Sequence, residues 1–405
     1  MKLEISKTSL LVLLFSLPLN IILIEGIGNV YLSTVVVFIQ FSIMLILTNA
    51  KILKGKTTLI AGELLLITSV ATMINILLNG ELINIQITKT VIYIQNILAL
   101  ILMNYIMKRV VLDYFLKLFV VVVLFSIVRV YIEEPSHFFK LSVLWDERIE
   151  SEFVAGVNTF AMLVGLAFTI SFFYFKQKYI KLILCGIFLM VIILTMSRGA
   201  LLAAIITLFA TSFYDTDRRT FELLVKYSLI GLVLIMAFLI FSGKMDAVLE
   251  LISERFFSFF NGEKTANAFF AGRGDLIGYV LEKFSESNIF QFLFGHGNGS
   301  MSFVIPETGQ KFETSHLVIL DILYRNGIIL TVLYILLQIW IFLKFLKNRS
   351  REKVILFGLF LFFQLELLVN PMIFSAQAGW VYSLFLILFI RQDSLIFNKD
   401  ENGEI

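Results

Sequence analysis

Three groups of residues have the types and spacing to do chemistry. The first is Thr195-Met196-Ser197-Arg198-Gly199-Ala200, where one long apolar run ends and the next begins. An arginine at such a boundary serves either as an interfacial anchor or as a fixed guanidinium facing an anionic headgroup, because its planar fork matches phosphate oxygens. The second is Arg255, followed by Gly272-Arg273-Gly274-Asp275. Arg273 stands at the expected start of a helix, where exposed N–H groups favour an anion. The bland alternative is a solvated arginine beside a cap, and Arg255 fits an interfacial position better still. The third is His316, within Thr314-Ser315-His316-Leu317. A lone histidine is usually structural, yet a neutral imidazole in a surface cleft can take a proton from a sugar hydroxyl. His296, between two glycines, reads as a turn residue. The spacing Gly295-x-Gly297-x-Gly299 is that of nucleotide loops, but no strand precedes it.

The elements that must position these residues are apolar. Of 405 residues, 59% are hydrophobic and 16% charged, against about 25% charged in soluble domains. Too few charges remain to coat soluble surfaces, so the chain reads as an all-α polytopic membrane protein. A span needs about 20 mostly apolar residues. Twelve candidates follow: 9–25, 30–48, 57–78, 90–107, 111–132, 153–175, 179–196, 200–213, 227–243, 318–343, 354–370 and 374–390. Lys2 and Lys7 before the first run resemble a signal peptide, but no small-residue cleavage site follows and a second span begins at once. It is read as an uncleaved helix.

Cations fall in alternate loops: Lys51, Lys54 and Lys56; Lys108 and Arg109; Lys176, Lys178 and Lys181; Arg218, Arg219 and Lys226; Lys344, Lys347, Arg349, Arg351 and Lys353. The short loops on the other side are poor in cations, and 133–152 is acid-rich. By the positive-inside rule both termini are expected in the cytoplasm. Residues 1–405 form a single membrane domain. One outer connection, 244–315, is far longer than the rest and is expected to be folded: Met245, Val248, Leu249, Ile252, Phe256 and Phe259 recur at helical spacing, as do Leu276, Val280 and Phe284. A third run begins at His316 and leads into span ten through Asn326-Gly327.

A net charge of +3 gives no field for nucleic acid. Cys185 is the only cysteine, which excludes an intramolecular disulfide. No carboxylate cluster or His/Asp metal spacing is present. Within the spans, Asp113 and Lys117 can pair four residues apart. Arg129 can join the site or meet the acidic loop, Glu63 has no partner in sequence, and Glu366 with Gln364 and Asn370 can line a cavity.

Taken in order, Ser197-Arg198-Gly199, the outer loop with Arg255 and Gly272-Arg273-Gly274-Asp275, Phe294-Gly295-His296-Gly297, and His316 before Arg325-Asn326-Gly327-Ile328 resemble the bacterial O-antigen polymerase and O-antigen ligase superfamily, including the Wzy-type polymerases of capsule and exopolysaccharide assembly. The resemblance implies a GT-C-like, metal-independent glycosyltransferase without a cofactor. Its donor would be a glycan on undecaprenyl pyrophosphate. By matching position, Arg198 and Arg273 would hold the pyrophosphate and His316 would act as general base. Arg255, His296 and Arg325 would contact glycan. A chain-length regulator and a flippase would be its partner proteins. Two departures stand out: Leu317 and Val318 follow the histidine where the family often has Asn and an aromatic, and Ile277 and Gly278 stand where an aromatic is common. The preferred expectation is a polymerase of lipid-linked repeats. Its rivals are a ligase moving finished glycan to another acceptor, a cell-wall glycan polymerase of the shape–elongation–division type, and a lipid-linked glycan flippase.

Overall fold

The computed structural model describes residues 2–19, 21–24, 30–79, 83–133, 156–195, 197–214, 273–299, 301, 303–304, 311–312, 314–347, 351–370, 372–375 and 379–395. Among them lie helices α1 (Lys2–Phe15), α2 (Leu32–Leu47), α3 (Lys56–Asn79), α4 (Ile83–Ile106), α5 (Leu112–Glu133), α6 (Val157–Tyr174), α7 (Lys178–Leu194) and α8 (Arg198–Tyr214). These are followed by α9 (Arg273–Ser285), α10 (Ile289–Phe294), α11 (Val318–Lys347), α12 (Arg351–Leu367) and α13 (Gly379–Ile390). The span expected at 227–243 and most of the 244–315 loop, Arg255 included, lie outside the described residues. The other eleven expected spans each coincide with a helix, wholly or in part.

Two boundaries differ for physical reasons. The first run was expected to be helical over 9–25, but α1 stops at Phe15 and the chain turns. Pro18 disfavours helical backbone at the residue before it and removes a donor. Beyond the turn, β1 (Ile22–Ile24) pairs antiparallel with β2 (Val30–Tyr31). A second ladder joins β3 (Phe303–Val304) to β4 (Lys311–Phe312), so among the described residues the only strands are these two short pairs beside the helices. The other difference is in α11, which the sequence offers as one uninterrupted span. Gly327 is non-helical inside it, at φ 74° and ψ 178°. His316 was expected to open this run, yet the helix starts at Val318 and His316 occupies a bend before it.

Packing centres on two helices. α4 is flanked by α2, α3 and α13, and α6 by α5, α7, α8 and α12. Phenylalanine rings fill the space between α5, α12 and α13: Phe385 lies 5.7 Å from Phe115, 5.2 Å from Phe119 and 5.2 Å from Phe363. α6 is buried on nearly all sides, whereas α3, α7 and α11 turn Leu66, Met73, Leu77, Ile183, Met190, Leu336 and Leu343 outward. Outward apolar faces of this extent suit lipid, not water. Among the described residues, five helices are long and apolar enough to cross a membrane: segments Thr58–Leu77, Gln86–Ile106, Leu112–Glu133, Val157–Tyr174 and Val318–Lys347.

α13 is short. Its 12 residues rise about 18 Å, less than the roughly 30 Å of a bilayer core. The α12–α13 connection, with its 3-10 turn Met372–Phe374, is therefore sunk well inside the bundle. Irregular backbone at such depth is tolerated only where protein surrounds it or a polar cavity bathes it. Here Asn96 of α4 donates to the Ile373 carbonyl at 2.8 Å. That recess is the frame of the site.

Candidate active site

Arg198 is the first residue of α8, and Ser197 caps that helix. The Ser197 hydroxyl accepts weakly from the Ala200 N–H at 3.5 Å and donates to Asn158 Oδ1, at the start of α6, at 3.3 Å. Two helix N-termini thus meet beside a half-buried guanidinium, an arrangement that favours an anion through the helix dipole. The neighbouring Gly199 allows close packing on α12: a methyl group there would stand 2.7 Å from Val369 Cγ2 and 3.4 Å from Glu366 Oε1. Glu366 is 1% exposed and so belongs to the wall behind Arg198. Gln364 was expected to share a cavity with Glu366, but its amide donates instead to Gln338 Oε1 at 2.9 Å, and Gln338 donates to the Tyr382 hydroxyl at 3.1 Å.

His316 is held by a residue that sequence reasoning missed. Asp321, fully buried in the first turn of α11, accepts from the Thr314 hydroxyl at 2.5 Å, the Ser315 N–H at 2.7 Å and the Ser315 hydroxyl at 2.5 Å. Thr314 Oγ1 in turn accepts from the His316 N–H at 3.1 Å. These bonds fix a bend in which His316 takes φ 59°, in the left-handed region. That conformation costs a non-glycine residue about 1–2 kcal/mol, so the surrounding bonds over-determine it. The half-buried imidazole is projected by this strained bend instead of by a regular helix.

The glycine-rich stretch 295–299 and the Asn326-Gly327 pair, far apart in sequence, form one joint. The kink at Gly327 frees the Tyr324 and Arg325 carbonyls from their usual partners four residues on. The His296 N–H donates to the first at 2.9 Å and the Gly297 N–H to the second at 3.0 Å. A Cβ at Gly295 would lie 2.2 Å from the Arg325 carbonyl oxygen, and one at Gly327 would lie 2.3 Å from that of Leu293. Both glycines have positive φ, which suits the residue type at each. Their spacing serves backbone interlocking and not a nucleotide.

His296 stacks on Tyr324, with ring centres 4.3 Å apart, and its Nε2 is 2.7 Å from Ser287 Oγ. Burial disfavours its charged form and holds its pKa down at about 4. Arg325 is 2% exposed, donates to the Asn298 carbonyl and sits 4.6 Å over the Phe374 ring. The α3–α4 hairpin grips the loop from the other side. Asn75 donates to the Gly295 carbonyl at 2.9 Å, while Gln86 Oε1 accepts from the Gly299 N–H at 2.8 Å.

Arg273 opens α9 as expected; its side chain lies outside the described residues. α9 packs on the first part of α11 through Val280, Met301 and Tyr324, with Tyr279, Phe284 and Leu320 around them. Arg273 and His316 therefore mark the starts of two helices packed on one another. Arg129 meets the edge of the acidic loop, pairing with Glu133 at 2.9 Å, and also donates to the Pro18 carbonyl. Lys117 lies 5.9 Å over the Tyr174 ring. Among the described residues no three His, Cys, Asp or Glu side chains gather as a metal site. The missed polar residues Asn75, Gln86, Asn96 and Asp321 carried one usable signal: each interrupts an apolar segment, where a polar side chain demands an internal partner.

Residues 183–335 match the family model described as O-antigen ligase. No curated protein matches the chain. Over those residues the chain is similar to the O-antigen polymerase and ligase superfamily.

Proposed function

We propose, on that likeness, that the chain is a polymerase joining undecaprenyl-pyrophosphate-linked oligosaccharide repeats into O-antigen, capsular or exopolysaccharide chains at the outer face of the bacterial cytoplasmic membrane. The observation that carries the reading is that the family match over 183–335 contains Arg198, Arg255, Arg273, His316 and Arg325 together. Arg198 and Arg273 hold the donor pyrophosphate, and the helix start at Arg198 supports this because its N–H groups add to the guanidinium. His316 takes the proton of the acceptor hydroxyl. The acceptor oxygen bonds to the anomeric carbon as the bond from that carbon to the pyrophosphate oxygen breaks. Undecaprenyl pyrophosphate then leaves with the charge that the two arginines stabilise. Arg255 contacts the glycan, while His296 and Arg325 shape the wall along which it lies. The reaction asks for no cofactor, since the donor arrives activated on its lipid. A flippase and a chain-length regulator supply repeats and limit growth.

A second reading, a ligase using the same site, is favoured by the description of the matching family model. Deleting the gene in its host and fractionating surface glycan by length and attached lipid separates the two. Single repeats on the normal acceptor, with no long chains, support a polymerase. Long chains retained on undecaprenyl pyrophosphate support the ligase. Repeats retained at the cytoplasmic face would overturn both in favour of transport. Restoring the gene as Arg198→Lys is expected to leave bond formation reduced by about 10²-fold or more, because an ammonium lacks the planar fork.

A further inference from the structure

A small cavity lies beside the loop joint, lined by Lys89, Ile92, Tyr93, Asn96, Asn298, Ile373 and Phe374. Its inner part has room for about one water-sized group. Two of its polar lining residues are at least nine-tenths buried: Asn298 is 3% exposed and Asn96 is 9% exposed. A bond elsewhere accounts for one atom of each amide. Asn96 donates its NH₂ to the Ile373 carbonyl at 2.8 Å, so its Oδ1 is the atom left over. Asn298 Oδ1 accepts from the Asn326 amide at 3.3 Å, so its Nδ2 is left over. Neither atom has a hydrogen-bond partner among the described residues.

A buried amide atom without a partner is destabilising, and here one acceptor and one donor stand at the same cavity. A hydroxyl carries both the donor and the acceptor that such a pair calls for. It donates to Asn96 Oδ1 and accepts from Asn298 Nδ2, a pairing that neither an ammonium, which only donates, nor a carboxylate, which only accepts, can make. Phe374 and Tyr93 add aromatic faces at the same cavity. Lys89 lies about 10 Å further along α4 from Asn96, a distance of seven residues at the helical rise, toward the end gripped by the loop. We propose that this cavity is a subsite for one hydroxyl of the saccharide chain, read by Asn96 and Asn298. The proposal rests on the glycosyltransferase reading above and names a residue pair that tells a free hydroxyl from a substituted one.

The test uses the purified full-length protein in detergent. Its probes are lipid-linked repeats extracted from a host lacking the gene, and undecaprenyl pyrophosphate without glycan. Asn298→Asp keeps the oxygen that accepts from Asn326 but replaces the donor. Ile92→Phe fills the cavity while leaving both amides in place. Each variant is expected to bind the repeat about tenfold more weakly, the worth of one hydrogen bond with its unsatisfied partner, while undecaprenyl pyrophosphate binds as to the parent protein. Unchanged affinity for the repeat in a folded variant would mean that the cavity holds water only, and would overturn the proposal. If Asn298→Asp does not fold, Ile92→Phe decides. Failure of the parent protein to bind either probe would instead sink the glycosyltransferase reading, and this subsite with it.

Discussion

Asp321 is the residue through which the bend at His316 is built. Its three accepted hydrogen bonds hold a backbone conformation that His316 would not adopt alone, and backbone strain of this kind concentrates where function needs a side chain aimed. Asp321→Asn keeps the shape but turns one acceptor into a donor facing hydroxyl and amide donors. The expected result is a fall in turnover of roughly tenfold to a hundredfold, since small misplacements of a reacting group are costly, with little change in affinity for the lipid-linked donor. If Asp321 acts through His316, the double variant Asp321→Asn, His316→Ala is no slower than His316→Ala alone. Additive losses would show that Asp321 acts elsewhere. His316 itself was visible in the sequence as a rare residue at the start of an apolar run. Asp321 was not, because a single acid five residues on gives no sign of which way it faces until the bend exists.

At the scale of elements, the joint between the 295–299 loop and the kink in α11 depends on an imidazole that stays neutral. His296 is buried against Tyr324, and its pKa is held at about 4 where an exposed histidine titrates near 6.5. The unfolded chain therefore takes up the proton first as pH falls. Stability from this group is complete above about pH 6.5, declines on acidification toward about pH 4, and levels off below it. Melting curves in detergent between pH 7.5 and pH 4.5 should show this loss, and His296→Gln, which has no such proton to bind, should flatten it. An equally steep decline in His296→Gln would assign the effect to other groups. Element positions were legible from hydropathy, since eleven expected spans coincide with described helices. Their interruptions were less so. Pro18 carries its own signal in the rigidity of its ring, but the break at Gly327 is stabilised by N–H groups of residues 296 and 297, a partner that no local pattern names. The same holds for Asn75 on Gly295 and Gln86 on Gly299, whose pairing joins segments more than 200 residues apart.

For the whole molecule, the contacts gather the cation-rich turns at one end. The Tyr214 hydroxyl donates to the Phe345 carbonyl at 2.6 Å, and Lys344 donates to the Ile390 carbonyl at 2.8 Å. Arg391 reaches Asn104 at 3.0 Å. Lys7 lies over Tyr114 at 5.8 Å and Lys181 over Phe172 at 4.9 Å. Lys344 and Lys353 both close on Asp393 at this same end. Arg198, the glycine loop and the α3–α4 hairpin stand at the other. The described cation-bearing turns thus lie together, and by the positive-inside rule the Arg198 end is expected to face outward. The single cysteine makes this testable. In a Cys185→Ser background, Ser285→Cys on exposed α9 and Lys54→Cys beside the 3-10 turn Lys51–Leu53 each present one thiol on a solvent-exposed residue. A membrane-impermeant maleimide added to intact spheroplasts is expected to label Ser285→Cys at once and Lys54→Cys only after lysis. The reverse pattern would place the arginine–histidine site in the cytoplasm, away from lipid-linked repeats displayed on the outer leaflet. Labelling of both thiols before lysis would mean leaky spheroplasts, which a cytoplasmic marker enzyme in the supernatant would reveal.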